Sequence, residues 1–330
     1  MKKKTTKRYF GRTIFAFAAA LLMTVTAGAQ VPNALVPVGS AIGIQLQSRG
    51  VLVVGFEEDV SSAEKAGIRK GDQIMRVDGE NVKTVEELRD AVERGQGCAL
   101  CIQLQRMGRD VSLQVLPTRT ADGYRLGLYA RDRVAGVGTV TFYDPESGEF
   151  GALGHAVNEP TTGALLQIRS GQVMRASVVQ VKKSHAGEPG ALKGAFDPAQ
   201  TVGEIRRNTE QGVFGSLDGQ PFEGTALPVA SSDEIRTGEA TILSNVDGTN
   251  VCAYSVQIRK LLPADPHCRN LLLEVTDPVL LEKTGGIVQG MSGSPILQNG
   301  KLVGAVTHVL VDKPTTGYGI FIENMLQAAA

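Results

Sequence analysis

Gln289-Gly290-Met291-Ser292-Gly293-Ser294-Pro295 sets a serine among glycines and closes on a proline late in the chain. A hydroxyl attacks a carbonyl only where nearby amides hold the oxyanion that forms, and small residues let the backbone wrap closely around such a nucleophile. Glycine-serine runs are also common in loops, so the stretch needs partners. Two are present: His155 in Gly151-Ala152-Leu153-Gly154-His155-Ala156, and Asp277 in Val275-Thr276-Asp277-Pro278, fifteen positions ahead of Ser292. A base, an acid and a hydroxyl in one chain are the parts of a nucleophilic acyl-transfer site.

Within that set each residue has a competitor. Ser292 is preferred to Ser294 because it has a glycine two residues before it and one after, which places the Gly290 and Ser292 amides to form an oxyanion hole. Ser294 is expected to bond within its own loop. His155 sits in a glycine-flanked turn at the end of a β run and can reach out of the scaffold. His308, in Gly304-Ala305-Val306-Thr307-His308, lies in an apolar strand and reads with Thr307 as cleft wall. His185 and His267 fall in polar stretches expected to be solvated. Asp277 is the least determined, since Asp-Pro starts turns regardless of function, as Asp144-Pro145 is expected to do.

Upstream, residues 42–47 and 51–56 read as strands, residues 63–66 as a short helix stopped by Gly67, and residues 74–77 as a strand turning at Asp78-Gly79. Thr84 with Glu87 three residues on is a capping-box pattern, and Val85, Leu88 and Val92 give the helix behind it an apolar stripe. Strands at 99–105 and 111–115 follow. Beyond about Arg119 the texture becomes short β runs with glycine-rich turns, until residues 322–330 read as a terminal helix. The expected class is therefore mainly β: a small α/β domain followed by an all-β domain.

A formal net charge of zero removes the electrostatic basis for nucleic-acid binding, and 42% apolar with 21% charged residues is ordinary globular composition. No H-E-x-x-H or comparable spacing is present, so neither metal nor cofactor is expected. Six basic residues, an apolar run over 14–25 and Ala27-Gly28-Ala29 describe a secretory signal peptide over residues 1–29, with an uncleaved anchor as the alternative. Export is implied. Residues 30–40 read as a linker. Cys98 and Cys101, three apart in a strand, would have Cα atoms roughly 10 Å apart and cannot pair. Cys252 and Cys268 flank a hairpin and are left open as a pair.

Two resemblances sharpen this. The run from Ala66-Gly67-Ile68 through Gly71-Asp72 to Gly79-Glu80-Asn81-Val82 resembles the PDZ domains of bacterial envelope proteases over roughly 75 residues. That implies a PDZ domain at 41–118, with a groove where an extended peptide adds as a strand and its carboxylate meets loop amides. Ile42-Gly43-Ile44 is the candidate loop, an ordinary strand start being the alternative. The serine loop and the strand after it are similar to those of chymotrypsin-like peptidases, which implies a double-barrel peptidase domain at 119–330 and Gly286 at the floor of the specificity pocket.

Phe142-Tyr143-Asp144-Pro145, Gly151 to His155, Thr276-Asp277-Pro278, Gly285 to Ile296 and Gly304 to His308 together resemble the stage IV sporulation protein B peptidases. That resemblance implies His155 as base, Asp277 as its orienter and Ser292 as nucleophile. It implies export into the space between the two forespore membranes, cleavage of a membrane-tethered regulator that unleashes an intramembrane protease and a late sigma factor, and self-cleavage near the N-terminus, with residues 30–40 as the accessible place. A PDZ scaffold with an inactive peptidase-like domain is the alternative.

Overall fold

The computed structural model describes residues 32–330 apart from 59, 60, 161, 220 and 221. The expected signal segment lies outside the described residues. Strands dominate, and two of them, β2 (Ala41–Phe56) and β9 (Leu128–Tyr143), run for sixteen residues each. Strands in globular proteins usually span about five or six residues, so these two are long enough to serve two domains. They do so.

The first barrel closes on itself. The first half of β2 pairs with β9 on one side and with β11 (Ile168–Lys182) on the other. β12 (Ala191–Thr209), β13 (Gly212–Leu217) and β10 (Glu149–Ala152) complete the ring back to β9. β1 (Ala34–Pro37) adds outside it, between β9 and β14 (Leu227–Pro228). Alternation decides which side faces in: Ile42, Ile44 and Leu46 enter the core with Val140, Phe150, Val173 and Val213.

The second barrel is formed by β15 (Gly238–Asp247), β16 (Asn250–Leu261), β17 (Leu271–Val275), β18 (Pro295–Gln298), β19 (Lys301–Val309) and β20 (Thr316–Phe321). Helix α3 (Pro278–Thr284) joins β17 to the serine loop, and α4 (Ile322–Ala329) ends the chain. Between the barrels Leu35, Phe142 and Phe214 of the first meet Ala305, Ile320 and Met325 of the second in a shared apolar layer.

The PDZ domain is inserted into the first barrel, not placed before it. It comprises the second half of β2, α1 (Ser62–Lys65), β3 (Gln73–Val77), β4 (Glu80–Asn81), α2 (Val85–Arg94), β5 (Leu100–Arg106), β6 (Arg109–Val115), the hairpin β7 (Thr118–Thr120) and β8 (Gly123–Arg125), and the start of β9. Thr84 caps α2 as expected, accepting from the Glu87 amide at 3.1 Å, while Glu87 reaches the Lys83 amide at 2.6 Å. The expected boundaries at 40/41 and 118/119 are corrected. Residues 34–37 form β1 against the first barrel and residues 41–48 lie in the barrel strand β2, and Leu35, Val36 and Val38 are buried. They are not an accessible connector.

Candidate active site

β10 ends in a turn that aims a histidine. Leu153 and Gly154 both adopt left-handed backbone, φ 69° each, which reverses the chain and carries His155 away from the sheet. A Cβ on Gly154 would lie 2.9 Å from the Thr307 methyl, so this turn abuts the second barrel.

From the other side comes the serine loop. Gly285 terminates α3 in a left-handed cap, and Met291 is fully buried. The Met291 amide donates to the Val288 carbonyl, the Ser294 amide to Met291 and the Gly293 amide to Val306. Among the described residues the amides of Gly290 and Ser292 donate to no protein acceptor. Two free donors flanking a nucleophile are what an oxyanion hole requires.

His155, Gly290 and Ser292 line one cavity of about 400 Å³, walled by Ile44, Leu46 and residues 134–137. His155 Nδ1 lies 2.8 Å from the Ala156 carbonyl oxygen. A carbonyl only accepts, so Nδ1 carries the proton and the neutral ring keeps its lone pair on Nε2. Burial pushes the His155 pKa below its ordinary value, with that carbonyl opposing. His308 sits beside it, ring centroids 5.1 Å apart. Although His308 keeps a solvent-exposed face, desolvation, then the charges of His155 and Arg269, bring its pKa down to about 4. Ser292 Oγ donates to the Thr307 carbonyl at 2.7 Å and not to His155. For the serine proton to reach Nε2, the side chain would first rotate away from Thr307.

The structure brings together His155, Gly290, Ser292, Thr307 and His308. It does not bring Asp277. That carboxylate caps α3, its Oδ1 accepting from the Val279 and Leu280 amides at 3.0 Å each while Oδ2 faces the Ser255 amide at 3.3 Å. The expectation that Asp277 orients the imidazole is corrected: the Ala156 carbonyl occupies Nδ1. Gly286 is not a pocket floor either, since it is buried at φ 138° with its Cα against Pro314, whose carbonyl a Cβ would meet at 2.2 Å. Ser294 is wholly buried, and while its amide bonds within the loop at Met291 its hydroxyl bonds Ser244 at 3.0 Å. His185 and His267 are exposed, and all four cysteines are free thiols.

Ile42-Gly43-Ile44 is not a carboxylate-binding loop. It lies inside β2, paired on both edges, with Ile42 in the barrel core and Gly43 beneath the Phe196 ring. The same apolar-glycine-apolar pattern recurs at Leu126-Gly127-Leu128, directly before β9, with Gly127 at φ 66°. There a groove of about 530 Å³ opens between α2 and β9, lined by Val85, Leu88, Val92, Leu126, Leu128 and Ala130, with Arg89 and Arg125 at its edge. The pattern is visible in the sequence, but it recurs along the chain, as at Val54-Gly55-Phe56 and Tyr318-Gly319-Ile320, and only strand pairing tells the copies apart. Thr139 was missed outright, because nothing in the apolar run 137–143 marks it.

Residues 122–326 match the SpoIVB peptidase S55 family, and residues 59–100 match a PDZ domain. The chain belongs to the SpoIVB peptidase S55 family. S55 peptidases are serine endopeptidases, and His155 and Ser292 fall within the matched span. Curated relatives carry a different name. A putative zinc metalloprotease of Rhizobium meliloti is 27% identical over 233 residues, covering 70% of this chain and 58% of its own length. One of Agrobacterium fabrum is 26% identical over 155 residues, covering 46% and 40%. The chain thus spans about half the length of the curated relatives it matches. Among the described residues no three His, Cys, Asp or Glu side chains form a metal cluster.

Among solved structures, the active form of the Rv3671c protease from M. tuberculosis is 17% identical with a TM-score of 0.35, covering 59% of this chain and 73% of that one. The PDZ domain of the SdrC-like protein from Listeria monocytogenes is 22% identical with a TM-score of 0.22, covering 25% and 87%.

Proposed function

We propose that this S55 chain is an exported serine endopeptidase of the sporulation type, acting on a membrane-tethered regulator and on its own N-terminal segment. The observation that carries the peptidase reading is the single cavity holding the His155 ring, the Ser292 hydroxyl and the free Gly290 and Ser292 amides. His155 Nε2 takes the Ser292 proton as Oγ bonds to the scissile carbonyl carbon. The two amides hold the resulting oxyanion. His155 then returns the proton to the departing amine as the C–N bond breaks; the same nitrogen next takes a proton from water as its oxygen bonds to the acyl carbon, and gives it back to Ser292 Oγ as the ester bond breaks.

The Ala156 carbonyl holds the tautomer that this sequence of steps needs. The PDZ groove between α2 and β9 takes the C-terminus of a peptide, with Arg89 and Arg125 favouring its carboxylate. Regulator, sigma-factor programme and forespore location rest on the family resemblance. Self-cleavage is restricted by the burial of Leu35, Val36 and Val38 to residues ahead of β1.

The second reading, a PDZ scaffold with an inert peptidase-like domain, is favoured by one observation: Ser292 Oγ rests on Thr307 and not on His155. Mass spectrometry of the N-termini of wild-type and Ser292→Ala protein, with hydrolysis of a peptide library, separates the two. The peptidase reading expects cleaved peptides and a trimmed N-terminus in wild type alone. Equal hydrolysis by both proteins, or by neither, contradicts it.

A further inference from the structure

Thr139 makes three contacts at the meeting of the barrels. Its amide donates to the Ser292 carbonyl at 3.2 Å, and its carbonyl accepts from the Leu153 amide at 3.2 Å. Its hydroxyl donates to the Gly290 carbonyl at 2.8 Å. The side chain is 1% exposed. One residue thus grips both residues whose amides are the oxyanion donors, and also the turn that presents His155. Gly293 is seated directly on it, since a Cβ there would lie 2.2 Å from the Thr139 carbonyl oxygen.

Thr139 stands on β9, and β9 begins in the PDZ groove. Leu128 and Ala130 line that groove, residues 134–137 wall the catalytic cavity, and Thr139 follows. Between 128 and 131 one edge of β9 pairs with β2, and among the described residues no strand pairs the other. That open edge beside α2 is where an added peptide strand forms its ladder. The neighbouring strand β2 bulges on the way, its register against β9 shifting between Gln47 and Leu52. There Ser48 Oγ donates to the Asp132 carbonyl at 3.2 Å. β9 continues through without interruption. From Ala130 to Thr139 it spans roughly 30 Å at strand rise.

We propose that Thr139 is a positioning residue for the oxyanion loop, and that β9 carries occupancy of the PDZ groove by an apolar peptide C-terminus to it. The proposal rests on the peptidase reading for its catalytic half. A peptide strand laid against residues 128–131 changes the twist of β9, and a strand bonded on both edges at Thr139 passes that change to the Gly290 and Ser292 carbonyls. Fixing those carbonyls fixes the backbone of the same two residues that offer their amides to the oxyanion. Removing the hydroxyl loosens Gly290 while the two backbone bonds of Thr139 keep the barrels joined.

The test has a catalytic and a non-catalytic arm, both on the full chain. In Ser292→Ala protein, hydrogen exchange is followed with and without a synthetic decapeptide ending in Leu-Val with a free carboxylate, the amidated peptide serving as control. The free acid is expected to protect 124–131 and to slow exchange of 289–294 several-fold. Thr139→Val keeps the first effect and loses the second, and Thr139→Ser keeps both. In protein retaining Ser292, Thr139→Val is expected to lower kcat about 10–100-fold with KM within about twofold and melting temperature nearly unchanged, and Thr139→Ser restores kcat. Protection of 124–131 without any response at 289–294, no protection at all, or a wild-type kcat in Thr139→Val overturns the proposal. Should Thr139→Val fail to fold, the exchange response of the Thr139 protein and the Thr139→Ser kinetics decide. An enzyme inert to every substrate and probe refutes the peptidase reading, and the exchange arm still judges Thr139.

Discussion

The rings of His155 and His308 lie 5.1 Å apart and tilted by 43°, one carried by the first barrel and one by the second. Two imidazolium ions at that separation repel, and burial opposes charge on either. His155 is held below its ordinary pKa by burial and His308 at about 4 by desolvation and the His155 and Arg269 charges. The base must be neutral to take the serine proton. The acid limb of kcat/KM is therefore expected below pH 6.5, with full activity at neutrality. A pH profile of peptide hydrolysis checks this, and a limb above 7 contradicts it.

The same shifts link to stability. Between the unfolded histidine value near 6.5 and the folded value of about 4, the unfolded chain binds protons that the native state refuses. Stability is present above 6.5 and is lost as pH falls through that window. Melting temperature against pH is expected to decline more shallowly in His308→Gln than in wild type. An identical slope would contradict the assignment.

Asp277 separates a cap from a catalytic orienter. Asp277→Ala is expected to cost about 1 kcal/mol, the usual worth of an N-cap, and Asp277→Ser to restore most of it. Hydrolysis by Asp277→Ser should stay within about threefold of wild type, whereas loss of a true orienter costs on the order of 10⁴ in kcat. Thermal melts and initial rates on the two variants suffice.

Gly293 is held at φ 96° against Thr139 and Leu153. Gly293→Ala puts a Cβ into two backbone atoms at once, 2.2 and 2.6 Å away. It is expected to lower stability by about 2 kcal/mol and hydrolysis about 100-fold or more, because the loop must leave its seat. Calorimetry with kinetics reads both.

In the PDZ domain, Arg106 meets the buried Asp72 through two bonds of 2.7 and 2.6 Å, the Arg69 amide adding a third at 2.7 Å. Arg106→Met leaves that buried carboxylate without its cation, held by the Arg69 amide, and is expected to cost about 3 kcal/mol. Denaturant melts of full-length protein measure it.

Local signals carried the fold well where the chain reports on its own neighbourhood. The Thr84 cap, the stripe at Leu88 and Val92, and the α4 helix are properties of a few consecutive residues, and each is visible in the order of side chains. What escaped depends on pairing across long separations. Residues 41–48 look like the opening strand of a PDZ domain until β9 and β11 are seen on either side of them. Asp277 carries the same Asp-Pro signature whether it caps a helix or orients a ring, and only the position of α3 distinguishes them. Ser292 and His155 were legible because glycines mark both turns. The Ala156 carbonyl and Thr139 act through backbone groups and a single hydroxyl, which leave no pattern in the sequence.

The central claim is that Ser292, activated by His155, is the nucleophile. Treatment with a fluorophosphonate probe followed by peptide mapping tests it most directly. The account predicts a single adduct on Ser292 that disappears in Ser292→Ala, is strongly slowed in His155→Ala and persists in Asp277→Ser. An unlabelled wild-type protein, or an adduct that survives Ser292→Ala, would contradict it.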